Sequence, residues 1–360
     1  MMWKQERLPV DKSTVLTRKP IVWVDFIRSI SIVLVVVIHS TGPLLNKWKE
    51  IISSTDWMVA DFLVSFSRAS VPLMFMISGY LLLSRQESIS DFYMKRFRKV
   101  IVPLIIWSIF YLVWQNGYRN YTIINMVKAI VYEILTGPAS YHFWFLYALI
   151  AIYILTPLIR RFTFAAEEIH LWYAVGAWFI FGPIKKMVER VFGFEVAIDF
   201  GFLVDYVGYF LMGYLLGRMK FSKKVFVLAV VTYLIAAGYT VFATYALSNL
   251  AGDYDGYYQW YLTLNAALMS CGAFVVLKTL GENISNEKLG EWLHHFASVS
   301  FGIYLIHVFF LIVLKRNGFD AFSGPAIISA PTLSLSVFVL SWLSVVILQK
   351  IPVLREIVPN

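Results

Sequence analysis

Val24-Asp25-Phe26-Ile27-Arg28, continuing through Val37-Ile38-His39-Ser40, is one apolar stretch that carries an arginine and a histidine where hydrocarbon would normally surround them. The run from Ile21 to Leu45 is long enough to cross a bilayer, for which about 20 predominantly apolar residues suffice. Arg28 and His39 are eleven positions apart. At about 100° per residue that is three turns plus roughly 20°, so both side chains leave a helix on nearly the same face, about 16 Å apart along its axis. A charged side chain inside a span is costly and faces a protein-lined or watered cavity. The stretch therefore predicts a membrane helix with one polar stripe: a fixed cation near its start and a proton-handling imidazole near its end.

The rest of the chain has the same character. Of its 360 residues 59% are hydrophobic and only 15% charged, and the mean hydropathy is +0.69. Soluble proteins average about 45–50% apolar and about 25% charged. The composition predicts an all-α, polytopic membrane protein. Ten spans are expected, near 21–45, 57–83, 99–116, 143–159, 170–183, 202–217, 225–248, 258–279, 297–314 and 326–349. The fifth is the weakest, being short and ending in Gly182-Pro183. An amphipathic segment near 122–136 is expected to lie on the membrane surface or to fold back into the protein. With no internal repeat, the chain reads as a cytoplasmic segment 1–20, one integral domain 21–350 and a cytoplasmic tail 351–360.

The net charge of +9 could suggest nucleic acid, but its distribution explains it through topology. With the N-terminus inside, Lys4 to Lys19, Arg85 to Lys99, Arg160, Arg161, Arg218 to Lys224, Lys278, Lys288, Lys350 and Arg355 all fall on the inner side. They form the larger share of the Lys and Arg, which places both termini in the cytoplasm. No nucleic-acid partner is expected. Cys271 is the one cysteine, so neither a disulfide framework nor a cysteine metal site is expected. No HExxH and no carboxylate cluster suggests a metal, and no cleavable signal peptide is apparent.

Further polar groups recur at span positions. Asp25 can pair with Arg28 three residues on. Arg68, in Ser67-Arg68-Ala69-Ser70-Val71-Pro72, lies near the middle of the second span and needs an anionic or carbonyl partner. Pro72 withholds the N–H that would bond the Arg68 carbonyl. In Ser78-Gly79-Tyr80, Gly79 reads as close helix packing. Met94-Lys95-Arg96-Phe97-Arg98-Lys99 serves the inward charge bias or anionic lipid, or else the phosphates of a soluble cofactor. Tyr141-His142-Phe143-Trp144 suits either an interfacial aromatic belt or stacking on a sugar. Gly302-Ile303-Tyr304-Leu305-Ile306-His307 puts another histidine about ten residues into the ninth span.

These residues together resemble the integral-membrane acyltransferase family 3. Arg28 and His39 match its Arg-x10-His signature. Ser67 to Pro72 with Ser78 to Leu82, His142 to Tyr147 with Thr156-Pro157-Leu158, and Gly302 to His307 follow its later patterns in order over almost the whole chain. Within that family the chain is most similar to stand-alone bacterial enzymes that O-acetylate cell-surface polysaccharides, the enterobacterial common antigen among them. Some relatives carry an extra extracytoplasmic domain, which this chain is expected to do without.

The resemblance implies a bacterial inner-membrane enzyme that moves an acyl group, usually acetyl, from cytoplasmic acyl-CoA to a hydroxyl of a surface glycan or its lipid-linked precursor. No permanently bound cofactor is implied; acetyl-CoA is the donor. His39 and Arg28 are then the catalytic pair. Arg28, Arg96 and Arg98 hold the donor, and Arg68, Ser78, Tyr80, His142, Trp144, Tyr304 and His307 face substrate. Membrane lipid is the remaining partner. The competing expectation is a transporter or exporter, since intramembrane charges also mark transport paths, although inverted repeats are missing.

Overall fold

The computed structural model describes residues 20–48, 54–116, 122–198 and 205–359; the expected cytoplasmic segment 1–20 lies almost wholly outside them. Among the described residues the protein is built of helices without strands. In chain order they are α1 (Val22–Leu45), α2 (Ser54–Ser67), α3 (Ser70–Leu83), α4 (Ile89–Arg96), α5 (Val102–Asn116), α6 (Ile123–Thr136) and α7 (Trp144–Ala165). There follow α8 (Glu168–Phe179), α9 (Lys185–Phe192), α10 (Val207–Arg218), α11 (Lys223–Ala251), α12 (Leu264–Glu282), α13 (Glu287–Arg316) and α14 (Ala326–Lys350).

Among the described residues eight helical stretches are long and apolar enough to cross a membrane: Val22–Leu45, Thr55–Leu83, Ile89–Gln115, Tyr141–Ala165, Lys223–Ala251, Tyr257–Glu282, Glu287–Arg316 and Ala326–Lys350. They correspond to eight of the ten expected spans. The fifth and sixth take a different form. The fifth is α8 followed by a π-helical turn, Ile180–Ile184, and the short α9. Pro183 sits in that turn, where its missing N–H and its ring disrupt the regular ladder. The sixth is α10, only 12 residues long but buried along nearly its whole length.

Interior helices and lipid-facing helices differ in what they bury. α1 is central, packing against α2, α3, α12, α13 and α14. In contrast α11 turns Leu228, Leu234, Ile235 and Phe242 outward, as a helix against hydrocarbon should. α6 coincides with the expected amphipathic segment and leaves Ile123, Ile124, Val127, Tyr132 and Leu135 exposed.

Helix ends that would strand polar groups are covered by neighbours. The Trp57 indole N–H donates to the Leu45 carbonyl at the end of α1 (3.1 Å). The Asp56 carboxylate accepts the Ala326 N–H at the start of α14 (2.6 Å). Both satisfy groups a helix cannot pair internally.

The tightest crossing is between α3 and α10. A Cβ on Gly79 would stand 1.7 Å from the Phe210 carbonyl oxygen, and one on Gly213 would stand 2.0 Å from that of Met76. The two backbones therefore touch, as the packing role read for Gly79 requires.

Candidate active site

α1 carries Arg28 and His39, and both meet the segment 141–153. The His39 ring lies 5.1 Å from that of Tyr141 and 6.3 Å from that of His142, just before α7 begins. Arg28 interacts electrostatically with Tyr153, further along α7. Eleven residues on α1 thus match a similar interval on α7 run in the opposite direction. Segment 141–153 therefore runs opposite to α1, and the shared face expected of Arg28 and His39 carries the side chains that reach it, although α1 itself packs against α2, α3, α12, α13 and α14.

At the His39 end three imidazoles gather. The His307 ring is 5.2 Å from that of His39 and 5.0 Å from that of His142. His307 belongs to α13, which begins at Glu287, ten residues earlier than expected. His307 therefore sits about twenty residues into the helix rather than ten, which lifts it to the level of His39. Its Nδ1 lies 2.7 Å from the Tyr304 carbonyl and 3.2 Å from that of Ile303. A carbonyl only accepts, so Nδ1 carries the proton and Nε2 presents a lone pair. That Nε2 is buried and has no hydrogen-bond partner among the described residues. His142 is held by Ser140 Oγ at 2.9 Å from its Nδ1, and its carbonyl accepts the Tyr304 hydroxyl. The Tyr111 hydroxyl donates to the Leu305 carbonyl (3.0 Å) and accepts from the Phe309 N–H (3.1 Å), bracing the turn of α13 that carries His307.

Arg68 approaches the same end from the break between α2 and α3. Pro72 ends the regular ladder there, and Arg68 and Ala69 form a turn. The expected carbonyl partner exists: Arg68 Nη2 donates to the Gln259 side-chain oxygen at 3.1 Å. The guanidinium lies 5.3 Å over the Tyr261 ring and borders a cavity of about 300 Å³ lined also by Trp144, Tyr206, Trp260 and Leu262. Trp144 lies near-parallel to Tyr261 at 5.6 Å and is tilted against Tyr206 at 5.5 Å. Rings of this kind, with a cation and an amide between them, suit a ligand with apolar faces and hydroxyl edges. His39 and Arg68 also interact electrostatically, so imidazole cluster and cavity adjoin.

The Arg28 end is different. Arg28, Arg85, Arg96 and Lys99 form a cationic group, with Glu87 as a carboxylate at its edge. Glu87 pairs with Lys95 (2.9 Å), Arg160 (3.3 Å) and Arg96 (3.5 Å). Burial raises the Glu87 pKa, but these three cations outweigh it and hold the carboxyl below its usual range. Arg96 and Arg160 also lie over the buried Phe92 ring. Phe97–Ile101 is a π-helical turn two residues before Pro103, and the widened turn carries Arg98 and Lys99, both exposed. Asp25 does not hydrogen-bond Arg28 as expected. Its Oδ2 pairs with His294 Nδ1 at 2.9 Å, leaving Arg28 a longer electrostatic contact. Ser78 donates to the Met74 carbonyl (2.8 Å) and meets the Tyr153 hydroxyl. Tyr80 packs on Trp23, 4.7 Å between rings.

The structure therefore divides the sequence-derived residues into two groups. His39, His142, His307, Tyr304, Trp144 and Arg68 meet at one end; Arg28, Ser78, Tyr80 and Arg96 lie toward the other, with Arg98 exposed beyond them. The sequence reading did not single out Gln259, Tyr206, Tyr261, Tyr153, Glu87, Arg160 or Asp61. The tyrosines and Gln259 have no periodic signal in a chain with 21 tyrosines. Asp61, an acid within a span, was a signal available to the same reasoning that chose Arg68.

Fold and site together define a multi-pass membrane protein with one polar cluster around Arg28 and another around His39, both on α1. Residues 21–348 match the acyltransferase domain family. The chain belongs to that family and is a membrane acyltransferase. No curated protein matches it, and no solved structure does.

Proposed function

We propose that the protein transfers an acyl group, most simply acetyl, from cytoplasmic acyl-CoA to a hydroxyl of a cell-surface glycan or its lipid-linked precursor, in the bacterial cytoplasmic membrane. The observation that carries the reading is the polar face of α1. It runs from a cationic group at Arg28 to an imidazole cluster at His39, which adjoins an aromatic-lined cavity.

The donor phosphates bind Arg28, Arg96 and Lys99, with Arg98 at the rim, and the pantetheine arm runs along α1. The thioester then reaches His39, about 16 Å further on. The acceptor sugar stacks on Trp144 and Tyr261 beside Arg68. His39 takes the proton of the acceptor hydroxyl as its oxygen forms the bond to the acyl carbon. The carbon–sulfur bond breaks, and the CoA thiolate leaves and is reprotonated. Arg68 faces the negative charge that grows on the carbonyl oxygen, where a dry site strengthens its effect. An acyl-imidazole on His39 would use the same geometry in two steps. Both termini in the cytoplasm put the Arg28 end on the donor side.

The test is transfer of label from radiolabelled acetyl-CoA to surface glycan in membranes holding the protein. Wild type should label glycan and release CoA, and His39→Ala should lower the rate by at least about 10²-fold. An unchanged glycan, or full activity in His39→Ala, would sink the reading. Acetyl label trapped on His39 without acceptor selects the two-step route.

A further inference from the structure

Gln259 lies on a short 3-10 turn, Tyr257–Gln259, just before α12. It is 1% exposed, and its amide uses every hydrogen-bonding valence it has. The oxygen accepts from Arg68 Nη2 (3.1 Å) and from the Tyr254 hydroxyl (2.7 Å). The nitrogen donates to Asp61 Oδ1 (2.7 Å) and Ser65 Oγ (3.1 Å). Ser65 in turn donates to the same Asp61 oxygen at 2.9 Å. Two lone pairs and two N–H groups exhaust a carboxamide. Turning the amide over would set N–H groups against a guanidinium and an oxygen against a carboxyl, so its partners fix its orientation.

A neutral amide is thereby inserted between a buried acid and the cation it faces. Asp61 is 0% exposed and interacts electrostatically with Arg68, yet Gln259 stands in the direct line. Had the carboxylate met Arg68 itself, a two-pronged ion pair would engage two guanidinium N–H groups and neutralise the charge locally. Instead Arg68 gives Gln259 one N–H bond and also meets the Tyr254 hydroxyl, while its Nε is buried with no hydrogen-bond partner among the described residues and the group borders the cavity.

We infer that Gln259 is a positioning residue: it steers Arg68 toward the cavity and holds Asp61 off it, so that guanidinium N–H groups stay available to a substrate oxygen. The inference rests on the acyl-transfer reading for what that oxygen is, but not for the geometry.

Gln259→Ala would strand buried donors and acceptors and risks simple misfolding. The decisive variant is the exchange Asp61→Asn with Gln259→Glu. It keeps the net charge, side-chain sizes and number of hydrogen bonds, but brings the carboxylate onto Arg68. Phenylglyoxal modification of Arg68, followed by peptide mass spectrometry on native membranes, reads guanidinium availability without turnover. Arg68 should react in wild type and about ten-fold or more slower in the exchange variant, the effect of giving its existing hydrogen bond a charged acceptor. Equal rates overturn the inference. In the labelled-acetyl assay the exchange variant should lose about 10²-fold in kcat with little change in acyl-CoA KM; wild-type turnover in it also overturns the inference. Absence of transfer by wild type counts against the acyl-transfer reading, and the labelling comparison still decides the geometry.

Discussion

His307 donates its Nδ1 proton to the Tyr304 carbonyl, and its Nε2, without a hydrogen-bond partner among the described residues, belongs to a ring packed beside two other imidazoles. That arrangement fits an acceptor for a proton or hydroxyl better than a packing residue. Exchange to Phe keeps the volume and removes the lone pair. His307→Phe should therefore fold, bind acyl-CoA and transfer label at least about 10²-fold more slowly. Loss of folded protein with normal turnover in the remainder would reassign His307 to packing. At the other end, Glu87 neutralises part of a group of cations, and its pKa lies below the ordinary value. Burial opposes that shift, but Lys95, Arg96 and Arg160 outweigh it. A lowered folded-state pKa means stability that is present above the usual carboxylate value of about 4.3 and lost as pH falls through the folded one. The melting-temperature advantage of wild type over Glu87→Gln in detergent should be level at neutral pH and shrink on acidification below about pH 4. A constant difference across that range would remove the charge role of Glu87.

Among the elements, α3 and α10 carry the most exacting constraint. Their backbones touch at Gly79 and Gly213, where an added methyl would collide with main-chain oxygen rather than with a side chain able to move. Overpacking of this kind costs about 1–3 kcal/mol or more. Gly79→Ala should lower the thermal midpoint of the purified protein, whereas Gly176→Ala, with nothing within 4 Å of the new Cβ, should leave it unchanged. Equal midpoints would contradict the close crossing. The consequence reaches the site: α3 begins beside Arg68 and ends near Glu87, so this crossing fixes the spacing between the two polar ends. Prolines act at the same scale. Pro72 ends the ladder at Arg68, and Pro103 follows the π-helical turn that carries Arg98 and Lys99.

For the whole molecule, the polar ends should open to opposite sides of the membrane. Single cysteines on a Cys271→Ser background test this with a membrane-impermeant maleimide. Asp253→Cys, near the cavity end, should label in intact cells; Ser88→Cys, beside Glu87, should label only after the membrane is opened. The reverse pattern would put the cationic end outside and exclude a cytoplasmic donor there. Donor and acceptor would then meet by passing along α1 from opposite sides, without either crossing the membrane entirely.

Sequence alone determined the class of fold, because length and hydropathy of apolar runs are local properties that a bilayer reads directly. It determined the shared face of Arg28 and His39 as well, since helical periodicity is local. Less could be read where a segment's role depends on its neighbours. α10 is too short to span on its own, and its place comes from backbone contact with α3. Likewise Asp25, which could reach Arg28 by spacing, bonds His294 from a helix more than 260 positions away. Only the tertiary structure brought Gln259 between Asp61 and Arg68, because those contacts join residues nearly 200 positions apart, and no helical period encodes a partner on another helix.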